Sequence, residues 1–241
     1  MSTSTKTSLK YNYFPIPGRS VAPRACVALA GESFTKNFDF EVVPVAFDDW
    51  FNPTSATRSD ATRFPTGDLP TLSITAPGAS KPSALIAESI GIVTYIGQVT
   101  GFWPQDALEV ARCIEILATV ENFVNGAPDP HNPNDIALVP TMLIQDKEKQ
   151  LALRRGAVTD RLKIYFGRAN DICGSNGFAV GDKTTIVDFY LTGFFLGLAH
   201  GEFDGVDEGG KCCATFTNIK KIADRVMGDE KMKAVMGKIL A

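Results

Sequence analysis

The residues that decide the fold are Leu9 to Gly31, LKYNYFPIPGRSVAPRACVALAG. Leu9 to Tyr13 alternates and ends in aromatic side chains, which is typical of a short β-strand. The prolines and glycine of Pro15 to Gly18 indicate a loop. Arg19 to Gly31 is rich in alanine, the best helix former, and its last glycine is a typical helix end. The segment therefore predicts a strand, a loop and a helix in immediate succession.

The next segments extend this unit. Phe38 to Phe47 is valine-rich and predicts a second strand, parallel to the first through a right-handed crossover. Asp48 to Thr66 is polar and predicts a loop or a poorly formed helix. Leu69 to Ile74 and Ser83 to Ala87 are close enough in sequence to pair antiparallel, and Glu88 to Val99 has helical spacing. This order of βαβ followed by ββα is the thioredoxin-like arrangement.

Strand signals are lacking after Gly101-Phe102-Trp103-Pro104. We therefore expect a flexible tail at 1–8, a thioredoxin-like α/β domain at 9–100, a linker at 101–106 and an all-helical domain at 107–241. The predicted helical segments of the second domain are Asp106–Asn125, Met142–Ile172, Ile186–Ala199, Asn218–Met227 and Glu230–Leu240.

Composition narrows the function classes. The chain has 241 residues with 44% hydrophobic and 21% charged residues and a net charge of −3, values ordinary for a globular protein of one or two domains. Without a run of Lys or Arg, no nucleic-acid partner is expected. The apolar run Phe189–Ala199 is far shorter than the ~20 residues of a membrane span, so no membrane partner is expected.

The cysteines and the N-terminus favour a reduced, cytoplasmic location. Met1–Ser8 lacks the apolar stretch of a secretory signal. The five cysteines contain no C-x-x-C pair and no spacing that suits zinc, so no metal is expected. We interpret the cysteines as small buried apolar residues; a redox role for Cys26 or Cys113 is the alternative.

Tyr13-Phe14, the short loop to Gly18-Arg19 and the helix that ends at Ala30-Gly31 resemble the opening of tyrosine-type glutathione transferases, closest to the sigma class. The resemblance implies that Tyr13 is catalytic, with Arg19 beside the reacting thiol; Tyr11, on the same strand face, is the alternative tyrosine. A phenol hydroxyl aimed at a thiolate gives it a charge-assisted hydrogen bond, which lowers the pKa of the thiol.

Further motifs are similar to the same family. Residues 64–72, FPTGDLPTL, look like its Gly-Gln-Leu-Pro-x-Leu element, whose proline is cis, with Asp68 where the family has Gln or Lys. The pair Glu88-Ser89 resembles its Gln/Glu-Ser at a helix start, where an anion is favoured. The glutathione-binding residues implied by the resemblance are Trp50, Asp68, Leu69, Pro70, Glu88 and Ser89. The family lysine near the glycyl end has no counterpart, and Arg58 and Arg63 are both candidates for its role.

The helical half carries the remaining matches. Residues 180–188, VGDKTTIVD, resemble the family's Gly-Asp-x-x-Thr-x-Ala-Asp, with Thr185 capping a helix and Asp188 reaching back. Phe216 to Ile219 resembles the family's Tyr-Pro-Asn-Leu. Glu115 and Glu121 lie near the position of an acid that the partner subunit supplies in the family. From fold position alone, the expected walls of the second-substrate pocket are Phe14, Ile16, Ile114 and Leu117.

The resemblance implies a homodimeric transferase that conjugates glutathione, its co-substrate, to hydrophobic electrophiles, as in detoxification. Two alternatives stay open. One is a glutathione-dependent isomerase similar to prostaglandin D synthase. The other is a non-catalytic relative, such as a lens crystallin or a translation-factor module, in which the fold mediates association.

Overall fold

A computed structural model gives the structure of the protein and describes residues 5–52, 54–132, 135–207 and 210–240. The chain forms two compact units. The first comprises the residues up to Trp103 together with those from Ala234 onward, and the second runs from Pro104 to Lys233. The first four residues of the predicted tail lie outside the described residues.

The first unit is built on a sheet whose strands in the described residues are β1 (Thr7–Tyr13), β2 (Phe38–Pro44), β3 (Thr71–Thr75) and β4 (Ala84–Ala87). The strand order is β2-β1-β3-β4. β1 pairs parallel with β2 and antiparallel with β3, and β4 pairs antiparallel with β3, as predicted. β1 begins two residues earlier than predicted, because Thr7 and Ser8 pair with β2 instead of lying in a tail.

The helices of the first unit follow the strands in thioredoxin-like order. They are α1 (Val21–Ala30), α2 (Glu32–Thr35), α3 (Phe47–Phe51) and α4 (Ser89–Thr100), and a 3-10 turn at Gly18–Ser20 precedes α1. α1 packs against α4. Leu9, Tyr11 and Leu72 are fully buried, so strand side chains of β1 and β3 form part of the core.

Among its described residues, the second unit contains helices joined by turns and loops, and no β-strand. Its α-helices are α5 (Ala107–Asn125), α6 (Leu138–Thr141), α7 (Lys147–Leu153), α8 (Thr159–Ile172), α9 (Ile186–Ala199), α10 (Thr217–Gly228) and the start of α11 (Glu230–Leu240). A 3-10 turn covers Cys213–Thr215. α5 packs against α8, and α9 packs against α10.

The segment predicted as one helix over Met142–Ile172 is interrupted. α7 starts at Lys147, where the Asp146 side chain accepts a hydrogen bond from the Lys149 amide. A π-helical turn over Arg154–Val158 separates α7 from α8. There the Thr159 hydroxyl donates to the Arg154 carbonyl and accepts from the Asp207 amide. The contact with Asp207 joins residues 48 positions apart in the sequence, and helical periodicity gives no sign of such a contact.

The helix cap predicted in the second unit is confirmed. Thr185 and Asp188 form a capping box at the start of α9. Asp188 is fully buried and accepts from the Thr185 amide and hydroxyl. Arg225 of α10 also donates to Asp188, at 2.7 Å, so the cap ties α9 to its neighbour.

Candidate functional site

The sheet register brings three sequence motifs to one end of the first unit. Asn12 of β1 pairs with Thr71 of β3, so Tyr13 lies beside Pro70. Thr71 also pairs with Ala87 of β4, which places Glu88 on the other side of Pro70. The predicted catalytic tyrosine, the Leu69-Pro70 element and the Glu88-Ser89 pair are therefore neighbours at this end of the sheet.

Tyr13 is the last residue of β1 and is held firmly. Its carbonyl accepts a hydrogen bond from the Val45 amide at 2.8 Å, and its side chain is only 5% exposed. The Arg19 amide donates to the Tyr13 hydroxyl oxygen at 3.3 Å. In this contact the Tyr13 hydroxyl oxygen is the acceptor, through one of its lone pairs.

The lack of a side chain at Gly18 leaves space for the Tyr13 hydroxyl. A Cβ atom at position 18 would lie 2.8 Å from the Tyr13 hydroxyl oxygen, and Gly18 has φ +39°, a conformation that favours glycine. The sequence indicated only a loop here. Glycine is required because this backbone lies against the side chain of Tyr13, five residues earlier. In the sequence, the spacing between Tyr13 and Gly18 was the one feature that could have indicated this contact.

Tyr11, the alternative tyrosine, has a different environment. It is fully buried, and its hydroxyl donates to the Arg19 carbonyl at 3.2 Å. The Tyr11 hydroxyl therefore donates to the Arg19 carbonyl, whereas the Tyr13 hydroxyl oxygen accepts from the Arg19 amide. Arg19 itself is buried, in the 3-10 turn, and its peptide groups fix both tyrosines.

The Leu69-Pro70 peptide bond is cis, as the resemblance implies. Leu69 packs on a cluster of Val45, Trp50 and Phe64, and the chain enters β3 directly afterwards. Asp68 is exposed. The backbone before Pro70 is thus anchored on one side by an apolar cluster.

Glu88 and Ser89 stand at the start of α4. Glu88 has φ 74° and ψ 127°, a region that non-glycine residues adopt rarely and often at functional sites. Its carbonyl accepts the Ile92 amide at 3.1 Å, which begins the helical hydrogen bonds. Ser89 is buried. The unpaired amides of the first turn and the helix dipole favour an anion at this position.

Trp50 is a core residue of the first unit. It is 6% exposed and meets Phe64 edge-on at 5.0 Å between ring centroids. Phe14, one of the predicted second-substrate residues, is half-buried and stacks on Phe47 at 4.5 Å. It also stacks on Phe51 at 5.8 Å. Phe14 therefore belongs to an aromatic group that links β1 to α3.

The other predicted second-substrate residues have separate environments. Ile16 is half-buried, and its amide donates to the Phe14 carbonyl at 2.8 Å. Ile114 and Leu117 lie on α5 in the second unit, where Ile114 is 42% exposed and Leu117 is 1% exposed.

The two acids of α5 singled out by position are engaged in local contacts. Glu115 forms an ion pair with Arg112 at 2.5 Å. Glu121 accepts a hydrogen bond from the Tyr190 hydroxyl of α9. Both contacts lie within the second unit.

All five cysteines are buried. Burial raises the pKa of Cys113 and of Cys173 to about 12, and burial also raises the pKa of Cys213 to about 12. Thiols of this kind stay protonated at neutral pH and are poor nucleophiles. Within the described ranges, no three His, Cys, Asp or Glu side chains form a metal-binding group, and no helix is both long and apolar enough to cross a membrane.

The sequence and the structure were both compared with those of known proteins. Residues 135–238 match the sequence model of the glutathione S-transferase C-terminal domain. No curated protein is a significant match by sequence.

Solved structures resemble the whole chain. A monomeric glutathione S-transferase from the hookworm Necator americanus has a TM-score of 0.67 at 20% identity and covers 96% of this chain and 97% of its own. A prostaglandin synthase D of Nilaparvata lugens has a TM-score of 0.64 at 17% identity, covering 96% and 98%. A glutathione transferase family member from Pseudomonas fluorescens with two glutathione bound has a TM-score of 0.60 at 15% identity, covering 95% and 92%.

These likenesses establish the fold. The chain has the glutathione transferase architecture, a thioredoxin-like domain followed by an all-helical domain, and its second unit carries the match to the C-terminal domain of that family.

Proposed function

We propose that the protein is a glutathione S-transferase in which the Tyr13 hydroxyl stabilises the glutathione thiolate during attack on a hydrophobic electrophile. The observation that carries the proposal is the register that puts Tyr13, Pro70 and Glu88 side by side at one end of the sheet. A tripeptide thiol bound along the Leu69 backbone would have its sulfur near Tyr13.

The chemistry follows from the thiol. A free thiol has a pKa of about 8.5, and only the thiolate is a good nucleophile. A hydrogen bond to a charged group contributes about 1.5–3 kcal/mol, which lowers the thiol pKa by about 1 to 2. The Arg19 amide, by donating to the Tyr13 oxygen, orients the phenol and strengthens it as a donor.

The rest of the ligand has suitable partners in the same unit. The γ-glutamyl carboxylate would bind at the first turn of α4, where Ser89 adds a hydroxyl donor and the helix dipole favours the anion. Glu88 would accept from the ligand's ammonium group. The cysteinyl part would pair with the Leu69 backbone as an added strand does.

The test is conjugation of glutathione to 1-chloro-2,4-dinitrobenzene by the wild type, Tyr13→Phe and Tyr11→Phe. We expect Tyr13→Phe to lose roughly 10- to 100-fold in kcat/KM, the cost of one charge-assisted hydrogen bond. Tyr11→Phe should retain activity, because the Tyr11 hydroxyl serves the Arg19 carbonyl. Equal loss in both variants would contradict the assignment.

An isomerase is the second candidate, and the likeness to the prostaglandin synthase D of Nilaparvata lugens is the observation that favours it. The glutathione thiolate stabilised by Tyr13 would also be the reactive group in an isomerisation. A wild type that binds immobilised glutathione yet conjugates no electrophile would favour isomerisation. A wild type that neither binds nor reacts would favour the non-catalytic alternative.

We also propose a cytoplasmic homodimer. The hookworm transferase of similar fold is described as monomeric, so the oligomeric state needs its own measurement. Sedimentation equilibrium is expected to give twice the chain mass, and the mass of a single chain would contradict the dimer.

A further inference from the structure

Two adjacent cysteines of the second unit, Cys212 and Cys213, converge on one buried carboxylate. Asp207 accepts a hydrogen bond from the Cys212 amide at 2.8 Å and from the Cys213 amide at 3.1 Å. Both thiols also hydrogen-bond to the same carboxylate. Because the thiols share one acceptor, their sulfur atoms lie close together.

The turn that carries the two thiols is fixed on both sides. Asp207 is 4% exposed and has φ 47°, a conformation that is uncommon for residues other than glycine. Its amide donates to the Thr159 hydroxyl at 3.1 Å. After the cysteines, the Thr215 hydroxyl donates to the Cys212 carbonyl at 2.7 Å. The pair of thiols is therefore held in place by the folded chain itself.

The thiols lie directly beneath the protein surface. Cys212 is 9% exposed and Cys213 is 3% exposed, whereas the flanking Lys211, Ala214 and Thr215 are exposed. Short surface turns open locally at a small cost in free energy. A reagent can therefore reach both sulfur atoms without unfolding of the whole protein.

The electrostatics of the pair restrict what it can bind. Burial raises the pKa of Cys212 to about 11 and that of Cys213 to about 12, and the Asp207 carboxylate raises both values further. A pair of buried thiolates beside this carboxylate is therefore unfavourable. The ligand that suits the pair bonds to both sulfurs and leaves no charge on them.

We propose that Cys212 and Cys213 form a binding site for organic arsenic(III) compounds, with both sulfurs bonded to one arsenic atom. This inference does not rest on the function proposed above. An arsenoso group, R–As=O, exchanges its oxygen for two thiols. The As=O bond and two S–H bonds break, two As–S bonds form, and both protons leave on the oxygen as water. Neither arsenic nor sulfur changes its oxidation state.

The product of this exchange matches the site. The arsenic bound to two sulfurs and one carbon carries no charge, so it avoids the cost of a buried thiolate beside Asp207. The carboxylate keeps its hydrogen bonds from the two cysteine amides. An arsenic bridge also tolerates a wider separation of the sulfurs than the ~2.05 Å of a disulfide bond.

The test is titration of the reduced, full-length protein with phenylarsine oxide, followed by native mass spectrometry. The wild type should gain the mass of one phenylarsine oxide less one water. The dithiol 2,3-dimercaptopropanol should remove the adduct, whereas the monothiol 2-mercaptoethanol should not. Cys212→Ser and Cys213→Ser should each weaken binding at least ~100-fold, because the advantage of two linked contacts is lost.

Cys113→Ser is the matched control. Cys113 and Cys173 are a second pair of neighbouring thiols: burial, the charge of Asp188 and that of Cys113 raise the pKa of Cys173. Cys113 is 0% exposed and Cys173 is 5% exposed. Cys113→Ser should therefore bind phenylarsine oxide as the wild type does. Loss of binding in this variant, with binding kept in Cys212→Ser, would place the arsenic elsewhere and overturn the proposal.

Peptide mapping of the wild-type adduct gives a result that needs no variant to fold. Cleavage after Lys211 and Lys220 should recover the arsenic on the peptide 212–220, which contains both cysteines. Arsenic on any other peptide would contradict the assignment. A wild type that forms no adduct, or one whose adduct 2-mercaptoethanol removes as readily as 2,3-dimercaptopropanol does, would also overturn it.

Discussion

Gly18→Ala probes the placement of the Tyr13 hydroxyl without changing the tyrosine. The added Cβ would lie 2.8 Å from the hydroxyl oxygen, where an ordinary contact begins at 3.4 Å. The oxygen must therefore move by roughly 0.6 Å, which is enough to break a hydrogen bond of 3.3 Å to the Arg19 amide.

Two effects are expected from this substitution. If Tyr13 acts as proposed, the misplaced hydroxyl no longer bonds the thiolate, and kcat/KM for glutathione conjugation falls roughly 10- to 100-fold. Alanine at φ +39° also costs about 1–2 kcal/mol of folding stability. The pH profile of kcat/KM should shift upward, because the thiol pKa returns toward its free value.

The control for backbone strain is Gly101→Ala. Gly101 has φ +80° with no atom within 4 Å of an added Cβ, so it suffers the conformational penalty without touching a tyrosine. We expect reduced stability in urea and normal catalysis. If Gly18→Ala keeps wild-type kcat/KM and pH profile, or if Gly101→Ala loses as much activity, the reasoning about Tyr13 placement is refuted.

Three further predictions concern binding, pH and thiol reactivity. Ser89→Ala should raise the dissociation constant for glutathione about fivefold, as expected from the loss of one hydrogen bond of ~1 kcal/mol; an unchanged constant by calorimetry would exclude this contact. Partial burial by itself raises the pKa of Asp135, but hydrogen bonds from Arg161 and the Asp129 amide and the charge of Arg161 bring that pKa below its usual value. A carboxyl with a lowered folded-state pKa stabilises the protein above its unfolded pKa of about 4, and this contribution is lost as the pH falls through the folded value. The free energy of unfolding in urea should therefore fall more steeply below about pH 4 for the wild type than for Asp135→Asn. If the two proteins lose stability in parallel as the pH falls, the stabilising ion pair between Asp135 and Arg161 is contradicted. Because burial raises the pKa of Cys113 and Cys173 to about 12, iodoacetamide should label neither in the native protein at pH 8 and both after unfolding; native labelling detected by mass spectrometry would contradict this.

Much of the first unit could be predicted from local sequence. The strand, loop and helix of Leu9 to Gly31 and the later antiparallel pair come from short-range patterns, and the observed sheet follows that order. The Thr185 capping box was equally local, since both partners lie within one helical turn. The fold class predicted from these elements is confirmed.

Contacts between distant residues escaped the same reasoning. Arg58 and Arg63 were equal candidates in the sequence, and only their different partners, the Gly67 carbonyl for one and the Asn12 side chain for the other, separate them. The π-helical turn at Arg154–Val158 is followed by Thr159, whose hydroxyl accepts a hydrogen bond from the amide of Asp207, 48 residues later in the chain. Such contacts leave no periodic pattern in the sequence, so only the folded structure reveals them.

The most direct test of the central claim is the pKa of the glutathione thiol bound to the protein, titrated through the ultraviolet absorbance of the thiolate. In the wild type and in Tyr11→Phe, it should lie about 1 to 2 below the free value of about 8.5. In Tyr13→Phe, it should return close to that of free glutathione. A wild-type pKa equal to the free value, or an unchanged low pKa in Tyr13→Phe, would contradict the account.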